Sequence, residues 1–294
     1  MKQTLSRYII WCSSLLISLL FYGCNSFDSK EKNPTSLPKI VDQATQQTFP
    51  GKIIWHDLLT PDPDSATNFY GQLLGWSFKP INEQYIEIYN GGKKIGGILT
   101  THPKQERKIA AQWLPALSIE DLDQSISTVK SNKGSLINGP LNWNPRGEGA
   151  LVCDPEKAHF LLLKTATGDP LDQEPQMGDW LWNEVWTTNL TQEVQFYKAL
   201  GKYTSVKKND HYAVLMNKKQ WRIGIREIDQ PLFAGRWVPI IRIENSSKYI
   251  KKVIELGGIV WKKPIPPENT ALISDPSGAF FILQYWNFST NGGE

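Results

Sequence analysis

Two short strands each place a carboxylate two residues beyond a tryptophan. One reads Trp55-His56-Asp57; the other reads Trp182-Asn183-Glu184 and runs on to Trp186. Side chains alternate along a strand, so Trp55 shares a face with Asp57, and Trp182 shares one with Glu184 and Trp186. A carboxylate set among indoles is partly desolvated. It could act as a general base, or orient a cationic or flat aromatic ligand against the indole faces. The competing reading is structural: each acid accepts hydrogen bonds from backbone or from an arginine and ties the sheet together. Arg146 and Arg222 are the conceivable partners. Trp113 and Trp237 each stand two residues before a proline at the start of a strand. They complete the candidate ligand-binding set of Trp55, Asp57, Trp113, Trp182, Glu184, Trp186 and Trp237, with strand packing as the alternative for the last-named pair.

Other chemistry finds little support. His56 adjoins Asp57, but neighbours on a strand point to opposite faces, so no dyad forms; His56 is expected on the surface or packed under a helix. His102, His159 and His211 are scattered, and no His-x-x-x-His or Cys-x-x-Cys spacing occurs. Asn90-Gly91-Gly92 reads as a hairpin turn, not a phosphate cradle. Cys153 ends the apolar run Ala150-Leu151-Val152 and is expected to be a small buried residue.

The elements that must position these residues occur twice. Asn68-Phe69-Tyr70 and Leu74-Gly75 return as Gln195-Phe196-Tyr197 and Leu200-Gly201. Trp113-Leu114-Pro115 returns as Trp237-Val238-Pro239, and each copy passes a glycine (Gly134, Gly257-Gly258) before closing on Asp-Pro at Asp154 or Asp275. A repeat this long is a duplicated domain, and two facing copies build clefts. The pattern predicts four β-α-β-β-β units in an α+β fold. The helix of the first unit runs over about 65–74, capped by Asp62 or Asp64 and ended by Gly75. The expected organisation is one domain over 51–165, a linker over 166–178, a second domain over 179–286 and a tail over 287–294.

The first 23 residues combine Lys2 and Arg7, an apolar run and Gly23-Cys24, the order of an export signal. The end resembles the lipobox of bacterial lipoproteins, although Phe21 and Tyr22 stand where Leu and a small residue are usual. That resemblance implies lipidation at Cys24 and a lipid anchor in a bacterial envelope, outer membrane facing the periplasm; the polar stretch over 24–50, without apolar periodicity, reads as a flexible tether. The formal charge of +3 falls to 3 − 2 = +1 without Lys2 and Arg7, which leaves no footprint for nucleic acid.

Four such units, with Phe-Tyr in the first helix and Leu-Gly after it, resemble the vicinal oxygen chelate superfamily of glyoxalases, bleomycin-resistance proteins and extradiol dioxygenases. The resemblance covers about 51–286. It implies curled sheets, each enclosing a cavity, usually with a divalent metal held by His, Gln or Glu. At the positions that carry those ligands this chain has Trp55, Leu114 and Leu161 in one copy and Trp182, Val238 and Ile282 in the other. Indole and alkyl groups do not suit a hard cation, so no metal and no other cofactor is expected. The resemblance leaves three functions open: a bleomycin-resistance-like protein that binds a small molecule, a metal-free lyase or isomerase using Asp57 or Glu184, and a structural or interaction protein. A monomer suffices, because the duplication supplies the paired domains.

Overall fold

In the computed structural model, the described residues are 36–101, 111–201, 203–217, 219–264 and 269–288. The expected signal and the expected lipidation site Cys24 lie outside them, as does His102. Among the described residues, sixteen strands and four α-helices follow one order four times. The first unit is β1 Ile53–Thr60, α1 Pro63–Leu74, β2 Ser77–Pro80, β3 Tyr85–Asn90 and β4 Lys93–Thr100. The second is β5 Gln112–Ser118, α2 Leu122–Ser131, β6 Ser135–Asn142, β7 Gly147–Cys153 and β8 His159–Thr165. The third is β9 Trp180–Thr187, α3 Leu190–Gly201, β10 Thr204–Asn209, β11 Tyr212–Asn217 and β12 Gln220–Glu227. The fourth is β13 Arg236–Ile243, α4 Ser247–Glu255, β14 Ile259–Lys262, β15 Thr270–Ser274 and β16 Phe280–Tyr285.

Local chemistry explains the boundaries. Pro63 opens α1, the Asp62 carboxylate accepts from the Ser65 amide, and Gly75 closes the helix in the left-handed region at φ 75°. Gly91 and Gly92, both at positive φ, form the two-residue turn between β3 and β4.

Each half forms one eight-stranded mixed sheet. The orders are β2-β3-β4-β1-β5-β8-β7-β6 and β10-β11-β12-β9-β13-β16-β15-β14, the same order twice. The registers match too: Asp57 lies between Gly97 and Leu114, and Glu184 lies between Gly224 and Val238. Asp57 and Glu184 are therefore equivalent positions.

The helix-side cores are shared between the halves. One combines Ile126, Val129 and Phe160 with Phe196, Tyr197 and Trp237; the other combines Phe69, Tyr70 and Trp113 with Val253, Ile273 and Phe281. The repeated motifs are the docking parts. Tyr70 donates to Asp275 across the junction at 3.2 Å, and Tyr197 donates to Asp154 at 2.9 Å. A Cβ on Gly134 would sit 2.9 Å from the Phe196 ring, and one on Gly258 would sit 2.8 Å from the Phe69 ring. Glycine at these positions lets each half receive the other half's phenylalanine.

His56 sits where the two halves meet, not on the surface or under a helix. It stacks on Trp180 with ring centroids 4.2 Å apart and bonds Asn183, its own counterpart in the other half, at 2.6 Å. Burial depresses its pKa to about 4, against the smaller opposing effect of the Asn183 bond, so it is neutral at pH 7.

The expectation of a flexible tether up to residue 50 is overturned for its described part. Leu37 and Ile40 are buried against Trp55, Tyr85 and Trp143 on the concave face of the first sheet. Asp169, wholly buried in the expected linker, accepts from the Phe49 amide at 2.7 Å and from the Ser118 hydroxyl at 2.5 Å. Two apolar residues in a polar stretch carry no period to read, yet they suffice to cover the concave face.

Candidate functional site

The two Trp-x-acid strands face concave surfaces, and those surfaces have opposite fates. In the first half the acid is locked. Asp57 accepts from Arg146 Nη1 at 2.7 Å, from the Tyr85 hydroxyl at 2.7 Å and from Trp55 Nε1 at 2.9 Å. Arg146 is fully buried. It reaches the Pro38 carbonyl through Nε at 3.2 Å and gives its backbone amide to Leu37, so the same side chain also holds the N-terminal segment that fills the cavity. A Cβ on Gly97 would collide with the Tyr85 hydroxyl, which is why β4 carries glycine opposite the acid. Asp57 is thus withdrawn from any ligand by burial and pairing, and Trp55, only 3% exposed, borders the open cavity without opening onto it as Trp182 does.

In the second half the concave face is open. It bounds a cavity of about 1140 Å³. Its floor is Ile240, Ile282 and Leu272 beside the Trp182–Glu184–Trp186 strand. Trp182 donates to the Tyr212 hydroxyl at 2.9 Å and meets Trp221 edge-on, centroids 6.2 Å apart. Trp221 is 51% exposed. The mouth is framed by Pro175 from the linker and by Trp286 and Phe288 from the chain's end. Arg242 braces both sides, bonding the Pro175 carbonyl at 2.5 Å and the Trp286 carbonyl at 3.0 Å.

Glu184 has a partner here too, but a different one. Arg226 grips it bidentately, Nε and Nη2 each at 2.7 Å, and Trp186 Nε1 donates at 2.9 Å. The Arg226 side chain is 45% exposed and its guanidinium lies 4.6 Å above the Tyr212 ring. Of the two arginines singled out in the sequence, Arg146 holds Asp57, whereas Arg222 does not hold Glu184. Arg222 pairs with Asp172, Nη1 at 2.8 Å and Nη2 at 3.0 Å. Lys52 joins the same carboxylate at 2.8 Å. Both Arg222 and Lys52 line the cavity, and sequence reasoning missed Lys52, Asp172 and Arg226. Their only signal was a charged residue beside an aromatic strand.

Trp113 and Trp237 do not reach either concave face. Alternation turns them to the helix side, where Trp113 Nε1 donates to the Tyr70 hydroxyl at 3.0 Å and Trp237 packs on Tyr197 and Phe160. They are core residues, not ligand contacts.

The charge of the open cavity runs against a cationic ligand. Lys52, Arg222, Arg226 and Lys262 line it against Asp172 and Glu184, so the balance is 4 − 2 = +2. The donor set does not fit the divalent metal usual in folds of this shape. Glu184 is the one carboxylate on the floor, its neighbours are indole and alkyl, and among the described residues no three His, Cys, Asp or Glu side chains cluster. Cys153 is buried, and burial raises its thiol pKa, as suits an inert core residue.

No protein-family model matches the chain. CFP32 of Mycobacterium bovis, provisionally named a glyoxylase, is 23% identical over 241 residues, covering 78% of this chain and 92% of that protein. The anthracycline biosynthesis protein DauV of Streptomyces sp. is 24% identical over 140 residues, 45% of this chain and 48% of that protein. Among solved structures, the Mn(II)-bound glyoxalase of Novosphingobium aromaticivorans aligns with a TM-score of 0.56 at 12% identity, over 81% of this chain and 83% of that one. A homoprotocatechuate 2,3-dioxygenase variant from B. fuscum aligns with a TM-score of 0.57 at 12% identity, over 86% of this chain and 74% of that one. The chain has the fold of the vicinal oxygen chelate superfamily, built as a tandem pair of glyoxalase-like halves.

Proposed function

We propose that this protein binds one small planar aromatic molecule in the cavity of its second half, without a metal at the superfamily's positions. The observation that carries the reading is the divergence of two equivalent strands. One acid is sealed under the chain's own Leu37 and Ile40; the other opens onto an aromatic-walled cavity of about 1140 Å³. That volume lies just above the usual range for small-molecule sites, about 300–1,000 Å³. Flat rings gain offset or edge-on contact with Trp182 and Trp221. The double hydrogen bond from Arg226 supports a role for Glu184 in shaping the floor, and it disfavours the lyase or isomerase reading in which Glu184 moves a proton. Stoichiometric manganese or zinc in purified protein, seen by elemental analysis, would overturn the metal-free part.

The test is tryptophan-fluorescence titration with 2-naphthol. Wild type should show saturable quenching. Trp221→Ala should weaken binding about tenfold, in line with the ~0.5–1.5 kcal/mol of an aromatic pair plus lost buried area, while the melting temperature stays unchanged because that indole is half exposed. Equal affinity in wild type and variant would refute this site. The same reading places the protein at the cell envelope, tethered through a lipid on Cys24, on the strength of the N-terminal pattern.

A further inference from the structure

The charged end of the open cavity is unbalanced. Lys52 and Arg222 share the single carboxylate of Asp172. Their side chains are only 13% and 9% exposed, whereas Asp172 is 42% exposed. Both Arg222 Nη atoms are spent on Asp172, and Arg222 Nε is buried with no hydrogen-bond partner. Lys52 spends one further bond on the Pro170 carbonyl at 2.6 Å. Two largely buried cations thus share one half-solvated carboxylate, with Asp169 adding only a smaller electrostatic effect on Lys52, and Arg222 Nε is left over. A buried cation with incomplete compensation costs free energy that an incoming anion recovers. Burial lowers the Lys52 pKa despite the Asp172 contact, which points the same way. The two cations come from different halves: Lys52 precedes β1 and Arg222 lies on β12, so the corner exists only in the assembled chain.

We infer that this corner is an anion subsite, and that the molecule bound in the cavity is an aromatic carboxylate or a similar planar organic anion. Its ring lies along Trp182 and Trp221, and its charged end reaches Lys52 and Arg222. This assignment rests on the cavity reading above and adds the ligand's charge. A guanidinium presents a planar fork suited to carboxylate, and hydrogen bonds to charged groups are about twice as strong as neutral ones.

The experiment compares two probes of one shape, 2-naphthoate and neutral 2-naphthamide, by tryptophan quenching of the full mature chain. Wild type should bind 2-naphthoate at least about tenfold tighter, as expected when one charge-assisted contact replaces a neutral one. Arg222→Met should abolish that difference while leaving 2-naphthamide affinity within about twofold. Lys52→Met should do the same, and serves if the arginine variant does not fold. Equal binding of both probes by wild type overturns the anion subsite and leaves the cavity standing. A preference that survives both substitutions also overturns it, since the charge is then read elsewhere. Binding of neither probe overturns the cavity reading and this inference with it.

Discussion

Neutralising Asp57 and neutralising Glu184 should have very different costs, although the two are equivalent positions on equivalent strands. Asp57→Asn keeps the shape of the side chain but removes the counter-charge of Arg146, whose side chain is 1% exposed. What remains to that guanidinium is the Tyr85 hydroxyl and the Pro38 carbonyl, both neutral. Stranding one member of a buried ion pair costs about 3–5 kcal/mol. At about 2–4 °C per kcal/mol for a chain somewhat under this size, the melting temperature should fall by roughly 6–20 °C. Glu184→Gln strands Arg226 far less, because that side chain is 45% exposed and water can replace the carboxylate. Its cost should be about 1 kcal/mol, a shift of roughly 2–4 °C. Differential scanning calorimetry of both variants at pH 7 decides the matter. The N-terminal segment gives a second readout: because Arg146 holds Leu37 and Pro38, Asp57→Asn should expose the chain near residue 37 to proteolysis, and Glu184→Gln should not. If Asp57→Asn melts within about 2 °C of wild type, or the two variants fall equally, the sealed-versus-open distinction fails.

Three further outcomes are expected. Glu193 is buried beside Asp154 and Glu156, and burial, reinforced by those two carboxylates, raises its pKa from the usual 4.5 to about 9. A raised acid stabilises the fold below its unfolded pKa and loses that contribution as pH rises, so Glu193→Gln should match wild type at pH 4.5 and melt about 5 °C or more higher at pH 8; a lower melting temperature at pH 8 would contradict it. His56, held neutral with its pKa near 4 by burial, binds a proton more readily when unfolded, so stability falls as pH drops from 6.5 towards 4. His56→Asn should flatten that part of the curve of melting temperature against pH, and an unchanged slope would refute the assignment. Cys24→Ala, expressed in a bacterial host and fractionated, should release the protein from membranes; retention equal to wild type would sink the lipid anchor.

The parts of the fold legible in the sequence are those the repeat states twice. Phe69-Tyr70 and Phe196-Tyr197, the glycines after α2 and α4, and the closing Asp-Pro pairs recur because each makes the same contact across the junction. Strand alternation correctly grouped Trp55 with Asp57 and Trp182 with Glu184. It equally turns Trp113 and Trp237 away, since each is paired opposite a residue of the helix-side face, Leu58 or Val185. The difference between the cavities was not legible, because it depends on residues outside the repeat's correspondence. Leu37 and Ile40 come from a polar lead-in with no periodicity. Arg226 has Leu99 as its counterpart, so nothing in the first half announces it. Lys52 and Asp172 meet Arg222 only after the linker folds back over β12. Sequence periodicity reports a residue's face; it does not report which distant charge will arrive there.

The count of ligand sites per chain tests the central claim most directly. Equilibrium dialysis of 2-naphthol against the protein should saturate at one molecule per chain, and Trp182→Ala should abolish that binding while Trp143→Ala, whose indole packs in the sealed first half, leaves the high-affinity site in place in whatever fraction remains folded. Saturation at two equivalent molecules per chain, or loss of binding with Trp143→Ala but not with Trp182→Ala, would contradict it.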